Sequence, residues 1–347
     1  MAASLFCSLL PDAFGAGGPA ATEGGDAHAA PLSSDALSHN KRGIEYGSKG
    51  KWAQAVIEHE FAVDRDPWNL AFSHDLSVAY LRLGEQLLTK KDYKGAISKF
   101  RFAIYIDPEN QAADKCLSTA WKASGKVSND FKARRKEAER LEADGDYVEA
   151  IAEYRHCARM SDCGMAHYRL GCVLLKQGTT VPIKTVEGYK ELRTAVTKPW
   201  QPDEKSDLSR CHAKLGDILS DFANLAREHG NTEASQKRFL NAGIEYRRAV
   251  TIDPHNINAL RGLLQVSKAE VQINPSFDNH LMLAGAYQLM GDEEHAKQEY
   301  YECYKLDHEK AKPMHKEERK EWLKNWIRQT EPKKPIDPPM LFSRIEV

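Results

Sequence analysis

Residues 76–110 read LSVAYLRLGEQLLTKKDYKGAISKFRFAIYIDPEN, and this stretch decides the fold. Small and aromatic residues alternate in it at helical spacing, which predicts two helices packed side by side. The small residues let two helix backbones approach closely, and the aromatic rings fill the space beside them. The residues that carry the pattern are Tyr80, Leu83 and Gly84 on the first helix, and Ala96, Phe100 and Ala103 on the second.

A short phrase containing proline and asparagine closes this stretch and recurs in the chain. It appears as Asp66-Pro67-Trp68-Asn69, Asp107-Pro108-Glu109-Asn110 and Asp253-Pro254-His255-Asn256. Proline ends a helix because it cannot continue the hydrogen-bond ladder, and asparagine can cap the helix that follows. The phrase therefore predicts boundaries between successive helices.

The same frame fits five further segments of the chain. Their marker residues are Gly43, Tyr46, Ala55 and Ala62 in the first unit; Leu141, Ala150, Tyr154 and Cys157 in the third; Leu170, Gly171, Gly188, Leu192 and Ala195 in the fourth; Leu215, Gly216, Ala242, Tyr246 and Ala249 in the fifth; and Ala284, Tyr287, Ala296, Tyr300 and Cys303 in the last.

From about Ala36 to His308 these residues resemble the tetratricopeptide-repeat family, whose pattern is W-x₂-L-G-x₂-Y, then A-x₃-F, then P. Leu87 stands where the pattern has tyrosine, which keeps that position apolar. The resemblance implies an all-α, right-handed superhelical solenoid of antiparallel helix hairpins, with about six irregular units and a capping helix. It also implies a chain that binds peptides and proteins rather than an enzyme.

Two units are longer than the family period of 34 residues. Pro67 and Pro108 are 41 positions apart, so we expect the first helix of the second unit to begin early, near Leu70. The fifth unit holds 14 extra residues between Gly216 and Ala242, with a turn signal at 229–232. We expect two lengthened helices that form a protruding hairpin, and the alternative is a loop.

Two segments, Gln111 to Ser124 and Ile257 to Gln272, look like extra helices without a clear partner. We expect the two halves of the solenoid to meet at an angle near residues 111–130.

The predicted domains are a flexible segment at 1–35, the solenoid at 36–308, a capping helix at 309–330 and a proline-rich tail at 331–347. Residues 1–16 resemble a truncated signal peptide that lacks a positive start, and the alternative is a disordered arm. The sequence therefore allows two localisations for the protein, cytoplasmic or exported. The sequence contains no run of about 18 apolar residues, so no transmembrane helix is predicted.

The 49 basic and 50 acidic residues give a net charge of -1. A nucleic-acid binder normally carries a basic excess, so an RNA-binding helical solenoid is the weaker alternative to a protein-binding scaffold or adaptor. A regulatory subunit that acts on an enzyme in trans is a further alternative. Seven cysteines at irregular spacing do not indicate a disulfide framework.

No phosphate loop, dinucleotide fingerprint or zinc-protease motif occurs, so we expect no catalytic residue and no cofactor. His156, Cys157, Cys163 and His167 form the one cluster that resembles metal ligands. Its spacing matches no structural zinc site, and His212 repeats the position of His167 in the fifth unit. We therefore expect no metal. The run Glu58-His59-Glu60 is expected to be solvated.

The family's partners usually lie along the concave surface that the first helices form. The predicted partner-binding residues on those helices are Leu81, Leu88, Arg135, Met165, Tyr168, Leu175, Arg210 and Asp217, with Asn40, Ile44, Val78 and Glu85 in the same groove. Relatives that grip chaperone tails use a clamp of lysine, asparagine and arginine on these helices. Asn40, Ile44 and Arg82 replace the required residues, so we expect that clamp to be absent.

Overall fold

The computed structural model describes residues 34–126, 130–178 and 182–307. The predicted flexible segment lies outside them apart from Ser34 and Asp35, which begin the first helix. The predicted capping helix at 309–330 and the tail at 331–347 also lie outside the described residues.

The described residues form α-helices and one short 3₁₀ helix, with no strand among them, so the predicted all-α fold of helix hairpins is confirmed. The helices are α1 (Ser34–Ser48), α2 (Trp52–Arg65), α3 (Leu70–Thr89), α4 (Tyr93–Ile106), α5 (Gln111–Ala123), α6 (Phe131–Asp144), α7 (Tyr147–Met160), α8 (Gly164–Gly178), α9 (Pro182–Ala195), α10 (Lys205–Glu228), α11 (Thr232–Ile252), α12 (Ile257–Ile273), α13 (Phe277–Leu289) and α14 (Glu293–Leu306).

The chain divides into two compact units, with the boundary between Glu191 and Leu192. The predicted division near residues 111–130 is therefore wrong. The physical reason is that α4 packs directly on α7 across the inserted helix α5. Arg101 of α4 donates hydrogen bonds to Glu149 and Glu153 of α7, and these bonds hold the second and third hairpins in one body.

Asparagine begins the helix that follows each of the three recurring phrases, as the sequence predicts. The side chain of Asn69 accepts hydrogen bonds from the amides of α3, that of Asn110 from α5 and that of Asn256 from α12. Each side chain satisfies a backbone donor that the first turn of a helix leaves without a partner.

Glycine on the first helix and an aromatic ring on the second bring the helices of a hairpin together. A Cβ atom on Gly84 would lie 2.6 Å from the ring of Phe100, and one on Gly216 would lie 2.7 Å from the ring of Tyr246. Both rings are buried, Phe100 completely. A larger residue at either glycine would force the ring out of the core.

Six helices end in the same turn, in which one residue takes a left-handed backbone conformation. Five of these residues are glycine, whereas the turn between α3 and α4 has Lys91 with φ 63°. The left-handed conformation costs a side-chain-bearing residue about 1 kcal/mol, because the Cβ atom approaches the following carbonyl oxygen. Lys91 is the one non-glycine residue with positive φ among the described residues.

Four hairpins share a histidine on the first helix whose Nδ1 atom contacts the Oε2 atom of a glutamate on the second helix. The predicted equivalence of His167 and His212 is confirmed by this contact. The pairs are His39–Glu58 at 2.8 Å, His167–Glu191 at 2.6 Å, His212–Glu245 at 2.7 Å and His280–Glu299 at 2.7 Å.

The predicted departures from a regular repeat are also present. Helix α3 begins at Leu70, and the two unpaired helices are α5 and α12. Helices α10 and α11 have 24 and 21 residues and are joined by a turn at His229–Asn231, so the fifth unit is a long helix hairpin rather than a loop.

Candidate partner-binding groove

A groove of about 790 Å³ lies in the N-terminal unit between α1 and α3, with α2 beneath it. Within the described residues it occupies the position predicted for a partner-binding surface, since α1 and α3 are the first helices of two successive hairpins. It is lined by Gly43, Ile44, Gly47, Ser48, Trp52, His59, Asp75, Val78, Arg82, Glu85, Gln86 and Thr89.

Two glycines one turn apart on α1 shape one wall of the groove. A Cβ atom on Gly43 would lie 2.6 Å from the ring of His59, and one on Gly47 would lie 2.7 Å from the ring of Trp52. Without side chains at these positions, α2 packs close to α1 and brings both rings to the floor of the groove.

A chain of hydrogen bonds runs across this floor from α2 to α3. The Nδ1 atom of His59 lies 2.7 Å from Oδ1 of Asn40, and Nδ2 of Asn40 donates to Oδ2 of Asp75 at 2.8 Å. Because Oδ1 of Asn40 can only accept, the proton of the imidazole lies on Nδ1 of His59. The other ring nitrogen, Nε2, is left as an acceptor.

The histidine of this chain is neutral at physiological pH. His59 is only 3% exposed. Burial lowers the pKa of His59, and the nearby carboxylates of Asp75 and Glu58 oppose that effect only in part. The floor therefore carries one full negative charge, that of Asp75, which keeps acceptor capacity beyond its bond to Asn40.

The expectation that Glu58-His59-Glu60 is solvated is wrong for the histidine. Glu58 pairs with His39 and Arg42, His59 is buried under α1, and Glu60 accepts a hydrogen bond from the hydroxyl of Tyr80. The physical reason is the repeat frame, in which His59 takes the interior position that Phe100 holds in the next hairpin. Because Glu58 and Glu60 flank His59, the local sequence suggests an exposed segment and does not reveal that His59 is interior.

The rim of the groove combines apolar surface with a paired charge. Ile44 of α1 is 54% exposed, and Val78 of α3 faces it as a half-buried neighbour. Arg82 and Glu85 form an ion pair at 2.9 Å along the same helix. A partner segment could bury an apolar side chain against Ile44 and Val78 and bond to the charged or amide groups beside them.

The structure gathers only part of the predicted groove. Ile44, Val78 and Glu85 line it, and Asn40 lies buried beneath it. Leu81 is 6% exposed, and both Leu81 and Leu88 pack in the core between the first two hairpins.

The other predicted residues of the N-terminal unit lie outside this groove. Met165 is 4% exposed and Tyr168 5%, so they present little surface. Leu175 lies against Gly188 inside its own hairpin. Arg135 is partly exposed and forms an ion pair with Glu139 at 3.5 Å.

Two predicted residues belong to the C-terminal unit. Arg210 is exposed and pairs with Asp207 at 3.1 Å, and Asp217 accepts a hydrogen bond from the hydroxyl of Tyr246 at 2.8 Å. A role in partner binding for the residues outside the α1–α3 groove stays a prediction.

Sequence reasoning missed His59, Trp52 and Asp75 as groove residues. For His59 a signal exists, because it lies four residues after Ala55, as Phe100 does after Ala96 and Tyr246 after Ala242. Trp52 and Asp75 carry no such signal. The place of Trp52 depends on how α2 packs beneath α1, and that of Asp75 on how far α3 extends beyond its repeat.

The cluster that resembles metal ligands does not converge. His156 hydrogen-bonds to Asp114, whereas His167 bonds to Glu191 and Asp162. Cys157 is fully buried, and its burial raises the thiol pKa to about 12. Among the described residues no group of three or more histidine, cysteine and carboxylate side chains is placed to hold a metal ion.

The sequence profile described as "Tetratricopeptide repeat" matches residues 277–309, the segment that begins with α13 and contains α14. This match confirms the resemblance drawn from the sequence, and the chain carries a tetratricopeptide repeat at this hairpin. Proteins built from such repeats generally act as interaction scaffolds that bind along extended surfaces. No curated protein matches the chain.

Several solved structures are similar to the chain. The human IFIT1 dimer with PPP-AAAA is 15% identical over 78% of this chain and 73% of that chain, with a TM-score of 0.27. The tetratricopeptide-repeat domain of P58(IPK) is 16% identical over 87% and 100%, with a TM-score of 0.24. A thermophilic tetratricopeptide-repeat protein of Thermus thermophilus is 16% identical over 67% and 98%, with a TM-score of 0.21. At these values the likeness carries no argument about function.

None of the helices between Ser34 and Asp307 that the structure describes is long and apolar enough to span a membrane.

Proposed function

We propose that the protein is a non-enzymatic scaffold or adaptor that receives a segment of a partner protein in the α1–α3 groove. The observation that carries the proposal is an open groove whose rim exposes Ile44 by 54% beside a floor that contains Trp52, His59 and Asp75. An exposed apolar side chain at the edge of a concave site is a typical anchor point for a partner, because association removes it from water.

The floor supports binding with a defined register. Asp75 can accept a hydrogen bond from a backbone amide or a cationic side chain of the partner. Nε2 of Gln86 donates to the carbonyl of Gly50 at 3.0 Å, and Arg82 forms an ion pair with Glu85, so these polar side chains have fixed positions. Apolar contact therefore supplies affinity, and the fixed polar groups select which segment fits.

The test uses the full chain and a library of random short peptides displayed on phage. Ile44→Ser removes apolar surface from the rim without adding charge. Ile57→Ser is the matched control, because Ile57 is 51% exposed on α2 and does not line the groove. We expect the native chain to enrich a set of peptides with a shared apolar residue, and Ile44→Ser to weaken their binding about tenfold or more.

Three outcomes would contradict this function. No enriched peptide sequence would argue against a peptide-binding groove. Equal binding by the native chain and Ile44→Ser would place the contact elsewhere. An equal loss in Ile57→Ser would show that the effect does not belong to the groove.

A further inference from the structure

Lysine is concentrated at two neighbouring helix turns of the N-terminal unit. The first turn joins α1 to α2, and the second joins α3 to α4. Nε2 of Gln86 donates to the carbonyl oxygen of Gly50 at 3.0 Å and so connects the first turn to the end of α3. We name this surface the lysine edge, and it consists of Lys49, Lys51, Lys90, Lys91 and Lys94.

The backbone conformation at Lys91 favours glycine, so the geometry of the turn does not explain why a lysine occupies this position. The amide of Lys91 donates to Leu88 and that of Asp92 to Leu87, as Gly145 and the residue after it do in the third hairpin. The φ of 63° at Lys91 is a conformation that side-chain-bearing residues rarely adopt. Glycine holds the equivalent place in the other described turns, and strained backbone positions cluster at functional sites.

The charges of the lysine edge are poorly balanced. Lys49 pairs with Glu45 at 2.5 Å, but the other four lysines make no ion pair with any residue in the described part of the chain. Asp92 is the acid nearest in sequence, and its Oδ1 atom accepts from the amide of Gly95 as the cap of α4. Five lysines against the carboxylates of Glu45 and Asp92 leave an excess of positive charge on the lysine edge.

The concentration of lysine at these two turns is not a general property of the repeat. The equivalent turn of the third hairpin has aspartate on both sides of Gly145, and the turn of the last hairpin is followed by Asp292, Glu293 and Glu294. A positive surface therefore belongs to the first two hairpins, which are also the hairpins that form the groove.

We propose that the lysine edge binds an acidic segment of the partner protein, next to the apolar residue that enters the α1–α3 groove. The inference rests on the proposed function, since it describes the partner of that groove. Ser48 and Thr89 line the groove and are adjacent in sequence to Lys49 and Lys90, so one extended segment reaches both surfaces. A protein segment fits better than a nucleic acid, because Ile44 and Val78 offer apolar contact where a phosphate backbone has none.

The first experiment measures binding of fluorescent polyglutamate to the full chain at low salt. The double variant Lys90→Glu and Lys94→Glu reverses two charges of the lysine edge. The matched control, Lys132→Glu and Lys136→Glu, reverses two exposed lysines at the same spacing on α6. We expect the edge variant to lose about tenfold in affinity and the control less than about twofold, and added salt to weaken native binding.

The second experiment uses Lys91→Gly, which removes one charge and places glycine where the backbone favours it. We expect weaker polyglutamate binding, by about twofold, together with a higher midpoint temperature of unfolding. A variant that merely damaged the fold would lower both quantities. Unchanged binding in Lys91→Gly and in the double variant would overturn the proposal.

Two further outcomes are informative. Polyuridylate that binds more tightly than polyglutamate, with the same dependence on Lys90 and Lys94, would overturn the assignment to an acidic protein segment. Polyglutamate has no apolar side chain, so its binding does not require the groove. Loss of polyglutamate binding in the edge variant, with no effect of Ile44→Ser on library peptides, would contradict the groove and retain the lysine edge.

Discussion

Both units bury glutamate near arginine, but only the N-terminal unit pairs the two closely. There, Glu153 is completely buried, with Arg101 Nε 2.6 Å from its Oε1 atom and Arg134 Nη1 3.3 Å from its Oε2 atom. In the C-terminal unit, Glu270 is 8% exposed beside Arg247. The Oε2 atoms of both glutamates lack a hydrogen bond among the described residues, and the difference is the close bond from Arg101 to the Oε1 atom of Glu153. The same residue types are therefore buried in two different electrostatic settings.

Two acids, one in each unit, have pKa values shifted in opposite directions. At the edge of the N-terminal cluster, a hydrogen bond from Arg140 lowers the pKa of Glu137 to about 2, against an opposing effect of burial. Burial raises the pKa of Glu270 to about 7, because Arg247 compensates only part of the lost hydration. A buried charge is tolerated where direct partners replace water, and otherwise the proton is retained.

The largest expected effect comes from breaking the paired cluster. Glu153→Gln leaves Arg134 with no opposite charge in contact, stacked 4.0 Å above the ring of Trp121. We expect a loss of about 3–5 kcal/mol in the free energy of unfolding, since an uncompensated charge remains in the core. Denaturant unfolding at pH 7 measures it, and a loss below about 1 kcal/mol would show that the cluster is not a stabilising pair.

The same substitution at Glu270 is expected to have the opposite sign. The unfolded carboxyl ionises near its ordinary pKa of 4.5, whereas the folded one ionises at about 7. The native fold is therefore favoured at low pH and loses stability as the pH rises between these values. Glu270→Gln removes this loss and should add up to about 3 kcal/mol above pH 7.

The measurement for Glu270 is denaturant unfolding of the native chain and the variant at several pH values. We expect the two to agree below pH 4.5 and to separate as the pH rises. Curves that stay parallel across this range would show that Glu270 does not titrate with folding. Destabilisation by both Glu153→Gln and Glu270→Gln would remove the distinction between the two units.

The smallest effect is expected at the exposed end of the N-terminal cluster. The side chain of Arg140 is 55% exposed and pairs with Glu137 at 3.1 Å. We expect Arg140→Ala to cost less than about 1 kcal/mol, because the lost partner is exposed and Arg101 still pairs with Glu137 at 3.2 Å. Thermal unfolding checks it, and a cost as large as that of Glu153→Gln would mean that burial does not separate strong from weak pairs here.

Much of the fold could be predicted because helix hairpins follow from local rules. Recurrent small and aromatic residues predict the paired helices, and Asn69, Asn110 and Asn256 mark where the following helices begin. The division of the chain could not be predicted in this way. It depends on contacts between Arg101 and glutamates about fifty residues away, which no local pattern reveals.

The candidate groove was predictable in outline but not in its floor. The repeat frame places Ile44, Val78 and Glu85 on first helices, and the structure puts all three around the groove. The frame does not show how much of each side chain the neighbouring hairpin covers, so Met165 and Tyr168 are more buried than expected. The position of Trp52 depends on the packing of α2 beneath α1, and that of Asp75 on the early start of α3.

The histidine–glutamate contact that recurs in four hairpins also bears on how the repeat accommodates helices of different length. The glutamate follows the small residue of the second helix by three positions in each case, as Glu58 follows Ala55 and Glu299 follows Ala296. The contact keeps one register across hairpins as different in length as α1–α2 and α10–α11. Each of these hairpins therefore carries its own contact between the first and the second helix, and a change in helix length leaves this pair of residues in place.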